Sequence, residues 1–80
     1  VNAEQRLAKN LEILSKLDVH ARSCDWLTQK IHAVTAKIKL AGDSEEVRVE
    51  LNTLAVRYNT EVQIFNSLEA EYIRINRQHH

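Results

Sequence analysis

Apolar residues recur three and four apart along two long stretches of the chain, and the two stretches are separated by one polar turn. From Leu17 onward the first stretch fits a heptad. Its a positions are Leu17, Cys24, Ile31 and Ile38, and its d positions are His20, Leu27, Val34 and Ala41. In the second, Leu51, Tyr58, Phe65 and Tyr72 take a, while Val47, Leu54, Glu61, Leu68 and Ile75 take d. Alternating steps of three and four keep one stripe of a helix facing a partner helix. Upstream the first stripe reads Leu7, Leu11, Leu14, Leu17. The step from Leu14 to Leu17 is one residue short of that heptad, so the seam is expected to shift near residues 14–17, through a local change of coiled-coil winding or a change of helix partner.

Between the stretches lies Leu40-Ala41-Gly42-Asp43-Ser44-Glu45-Glu46. Gly42 is the only glycine, and the chain has no proline. Glycine suits the left-handed residue that ends a helix, because no Cβ clashes there. Asp43 with Glu46 can form a capping box for the next helix, and Ser44 is the rival cap. The pattern predicts an all-α fold, an antiparallel hairpin of two long helices. The boundaries are a helix over 3–41, a turn at 42–43 and a helix over 44–77. At 1.5 Å per residue each arm is about 60 Å long, so the unit is a rod.

The second arm carries more apolar surface than one seam uses. Val49 and Val56 take f, Ala55 and Val62 take e, and Ile64 takes g. Three of its a residues, Tyr58, Phe65 and Tyr72, are aromatic, and large rings suit a core thicker than two helices. A two-helix hairpin buries one stripe per helix, which leaves little to offset about 1.5 kcal/mol of ordering cost per residue. The hairpin is therefore expected to be completed into a bundle by self-association or by partner helices. A dimer of hairpins is the simplest closed form. Trp26 lies beside the seam of the first arm and reads as a flanking core residue or as an anchor for a further helix.

Composition and charge narrow the classes. The 80 residues are 44% hydrophobic and 28% charged, and allow one small domain. With no methionine and Val1 first, the sequence reads as a fragment of a larger protein. Net charge is zero, but residues 1–41 hold seven Lys+Arg against four Asp+Glu, and residues 42–80 the reverse. The opposed arms favour antiparallel pairing and place Lys16 near Glu69 and Lys39 near Glu46. No net basic patch points to nucleic acid, and no stretch reads as membrane-spanning or membrane-surface. Cys24 is the only cysteine, which favours a reducing compartment, cytoplasmic or nuclear. His79 and His80 read as a frayed end.

If Ala41 faces Ser44, facing residues sum to about 85, and His20, Cys24 and Glu61 meet in one layer. These types are compatible with zinc but one ligand short, so a metal between hairpins is an alternative and not the main reading. The layer reads first as a polar device that fixes register. A coiled-coil seam offers no pocket or oxyanion donors, so neither catalysis nor a cofactor is expected. The candidate interaction residues are Trp26, Val49, Val56, Tyr58, Val62, Ile64, Phe65 and Tyr72.

The stretch from Cys24 to Asn76 resembles a spectrin-type repeat. The likeness rests on Trp26-Leu27 in a first helix, the acidic turn Asp43-Ser44-Glu45-Glu46, and the heptad helix from Val47. The resemblance implies three-helix units stacked into rods, and a spacer or docking role in a cytoskeletal protein. The third helix is missing here, and Glu61 stands where an apolar residue would be expected. The leading functional expectation is a non-catalytic helical hairpin that mediates oligomerisation or scaffold assembly.

Overall fold

The computed structural model describes residues 2–77. Helix α1 runs Ala3–Ala41 and helix α2 runs Glu45–Arg77. They pack against each other as an antiparallel hairpin 58 Å long. His79 and His80 lie outside the described residues.

Local chemistry fixes each end. Asn2 caps α1: its side chain accepts from the Gln5 amide at 2.8 Å, and Gln5 Oε1 accepts from the Asn2 amide at 3.3 Å. This reciprocal box satisfies two amides that would otherwise lack partners. At the other end the Gly42 amide donates to Ile38 O at 2.9 Å. Gly42 sits at φ 88, ψ 172, which is more extended than the left-handed helical cap and is reached almost only by glycine. The cap of α2 is Ser44, not Asp43. Ser44 Oγ accepts from the Val47 amide at 3.3 Å, and the helix starts one residue later than expected. Asp43 instead accepts from Arg48 Nε at 2.7 Å. That pairing holds the Asp43 carboxyl below its ordinary range. The threonines inside the helices donate to the carbonyl four residues back, as Thr28 does to Cys24 and Thr60 to Val56.

The seam differs from the sequence expectation in one respect. Ile13, Leu27 and Val34 are the fully buried side chains among the described residues. Their spacing, with His20 between, marks an unbroken d row. Counting back, Asn10 and Ile13 continue the heptad of Leu17 without a shift. Leu7, Leu11 and Leu14 lie off the seam, exposed at 60%, 60% and 44%. The expected discontinuity at 14–17 is absent because the leucines form a second stripe, displaced around the helix. At position 10 the seam carries an asparagine. Asn10 and Asn76 exchange side-chain amide bonds of 2.9 and 3.0 Å across the helices, and Asn76 Nδ2 also donates to Tyr72 O at 2.7 Å. A satisfied amide pair replaces an apolar layer there.

The expected ion pairs of Lys16 with Glu69 and of Lys39 with Glu46 are not formed among the described residues. Lys16 turns along its own helix to Glu12 at 3.1 Å, where an i,i+4 partner is within easier reach. The cross-helix pair at that end is Lys9 with Glu71 at 3.7 Å. The Lys16–Glu12 pair is exposed and Glu71 is half-buried, and such surface pairs contribute little stability.

Candidate interaction surface

Two flanks run along the hairpin, one on each side of the seam, and they become its two broad faces. The front face holds the e and b positions of both helices. Leu7, Leu11, Leu14 and Ala21 from α1 stand there with Val62 and Ile73 from α2. Its midpoint is a hollow of about 200 Å³ lined by Ala21, Cys24, Asp25, Val62 and Phe65. The back face holds the g and c positions. Its midpoint is a hollow of about 340 Å³ lined by Arg22, Ser23, Trp26, Leu27, Arg57 and Glu61.

Trp26 projects from the back face, 47% exposed. It precedes the buried Leu27 and does not enter the core. Lys30 Nζ lies 5.3 Å and the Arg57 guanidinium 5.7 Å from its ring. Both distances suit cation–π attraction, so two cations flank the indole. Sequence reasoning found Trp26 but not its cations, since Arg57 comes from the other helix.

Val49 and Val56 are exposed on the outer side of α2, and Ile64 is exposed on its back edge. Tyr58, Val62, Phe65 and Tyr72 are half-buried, and no side chain of α2 is fully buried. A single facing helix cannot cover rings of this size from all sides. The expected stripes are therefore present as surface, apart from the rings, which are shared between the seam and the faces.

His20 and Glu61 meet in the seam, with Nδ1 2.5 Å from Oε2. Cys24 is one turn further along, half-buried on the front side. Its thiol is pushed up from 9.0, first by burial and then by Glu61 and Asp25. A thiol held protonated is a weak nucleophile and a reluctant metal ligand. Among the described residues no three His, Cys, Asp or Glu side chains are grouped so as to hold a metal ion. The layer is a polar interruption of the d row, in which His20 and Glu61 satisfy each other.

No helix is long and apolar enough to cross a membrane, among the described residues. The chain matches no family model, no curated protein and no solved structure. The reading of its surface therefore rests on this geometry.

Proposed function

We propose that the chain is a non-catalytic assembly module, a helical hairpin whose broad faces seat other helices in an oligomer or scaffold. The observation that carries this reading is the balance of burial. Among the described residues three side chains are fully buried, whereas ten large apolar ones, from Leu7 to Ile73, are exposed. Exposed apolar area at helical spacing marks a surface made for covering. The protonated thiol and the cation-flanked indole fit binding better than chemistry. A lone half-buried thiol also fits a reducing compartment, cytoplasmic or nuclear.

A second reading follows from the front face. An apolar groove along a 58 Å rod is what a third helix of a spectrin-like spacer would fill. In that case the covering helix belongs to the same polypeptide.

Sedimentation equilibrium and urea unfolding across the micromolar range test the assembly reading. The isolated chain should gain mass and stability together as concentration rises, or else stay marginally stable until a partner helix is added. A monomer that unfolds cooperatively with the stability of an ordinary domain would remove the reading. The spacer reading expects a polypeptide carrying the third helix to be a stable monomer where the hairpin is not.

A further inference from the structure

The two broad faces are unlike in charge, and each is the complement of the other. Around the midpoint of the front face the free charges are carboxylates: Asp25, and Glu69 on the same flank of α2. Asp18 adds a third, tied at 3.2 Å to Arg22. Around the midpoint of the back face the free charges are cations, Lys30 and Arg57 beside Trp26; Lys16, one step toward the open end, is tied to Glu12 at 3.1 Å. The cations that share this half of the rod lie away from the front face. Lys9 is on the back flank and Arg6 is in the seam. Arg48 and Lys39 stand on the front flank only near the turn.

The apolar relief is complementary as well. The back face presents a knob, Trp26, and the front face presents the hollow between Ala21 and Val62, floored by Phe65. Trp26 and Ala21 are five residues apart on one helix, about 7.5 Å along the axis. Knob and hollow thus stand at nearly the same height on the rod.

We infer that the occupant of the front face is the back face of a second copy, lying in the same orientation, with Trp26 seated between Ala21 and Val62. This rests on the assembly reading above and deepens it. In that arrangement Lys30 of one copy comes level with Asp25 of the next, while Arg57 comes level with Val62, about 10 Å along the axis from Glu69. Pairing two front faces about a two-fold axis would instead set the front-face carboxylates of one copy, Asp25 and Glu69, against a surface carrying the same carboxylates, and like charges across an interface weigh against a pairing. The resulting contact is heterologous. The copy at each end of a stack leaves one face free, so the assembly grows or, depending on the rotation between copies, closes into a ring. The contact weakens as salt rises, because its charges lie at the rim.

The test blocks one face at a time. Ala21→Lys blocks the front face and Trp26→Glu blocks the back. Leu11→Lys and Lys30→Glu are second variants for the same faces at exposed positions, in case the first pair loses helicity. Mass is read by sedimentation, with helicity confirmed by circular dichroism. The wild-type chain should grow in mass with concentration, past the dimer. Each blocked chain alone should stay monomeric. An equimolar mixture of the two should form a 1:1 dimer. The emission of Trp26 should then shift to shorter wavelength, since the front-blocked chain carries the only tryptophan in the mixture. Self-association of the Trp26→Glu chain, or of the Ala21→Lys chain, would overturn the inference by showing like-face pairing, and leave the assembly reading standing. A wild-type chain that is monomeric but marginally stable would also overturn it, and point the faces to a different partner. A stable wild-type monomer would remove both.

Discussion

Ile13 and Leu14 are neighbours in the chain, yet the structure gives them opposite roles. Ile13 is 2% exposed in the seam, and Leu14 is 44% exposed on the front face. Replacing Ile13 with alanine removes three carbons from a fully buried site. Such truncations cost about 2–5 kcal/mol. Replacing Leu14 with alanine removes a side chain of which nearly half already meets water. Full burial of a leucine is worth about 1.5–3 kcal/mol, so the loss within one hairpin is about 1 kcal/mol. The two variants separate further with concentration. The Ile13→Ala deficit belongs to the hairpin and stays constant. The Leu14→Ala deficit grows as copies or partners cover the front face. Urea unfolding followed by circular dichroism, repeated from dilute to concentrated protein, measures both. Equal deficits in dilute protein would refute the reasoning. They would mean that the seam runs through Leu7, Leu11 and Leu14, and that the helix is rotated about its axis from the phase set by Ile13, Leu27 and Val34.

Three further outcomes follow from named contacts. Asn10→Ala and Asn76→Ala should each cost about 1 kcal/mol, and the double variant less than their sum, with a coupling of about 0.5–1.5 kcal/mol in a double-mutant cycle; additive losses would show that the amide pair is not made. Gly42→Ala should destabilise the turn by about 1–3 kcal/mol even though nothing lies within 4 Å of the added Cβ, because φ 88 is unfavourable for any L side chain; an unchanged urea midpoint would exclude that strain. Burial holds the folded Cys24 thiol above 9.0. Folding therefore keeps its proton, and that contribution is complete below the unfolded value and lost as pH rises through the folded one. Stability should thus decline above about pH 9.0 in the wild type and more weakly in Cys24→Ala, as read by the urea midpoint against pH; parallel declines would assign the loss to other groups.

How far the fold could be read from sequence depends on what each signal has to decide. One glycine and no proline are enough to place one turn, because nothing else in the chain stops a helix. Choosing Ser44 over Asp43 as cap was out of reach, because both side chains can accept from an amide and the choice turned on Arg48 drawing Asp43 aside. Lys16 illustrates the same limit. Its local partner Glu12 and its distant partner Glu69 carry the same charge, and only the separation in space ranks them.

The phase of α1 is the more instructive case. Apolarity alone assigns Leu7, Leu11 and Leu14 to the seam over Asn10 and Ile13, because three leucines outweigh an isoleucine and an amide. That inference assumes one apolar stripe per helix, and it fails when a helix carries two. The polar residues held the missing information. Arg6, Asn10, Ile13, Leu17, His20 and Cys24 follow one another at four and three without interruption. Two of the polar members, Asn10 and His20, find their complements on α2 at Asn76 and Glu61. A polar residue in a seam is tolerated only where the partner helix answers it, so such pairs define register more sharply than any number of leucines. The leucines are then left for the face that the hairpin cannot cover by itself. In this chain the polar positions of the seam specify the hairpin, and its surplus apolar positions are left on its surface.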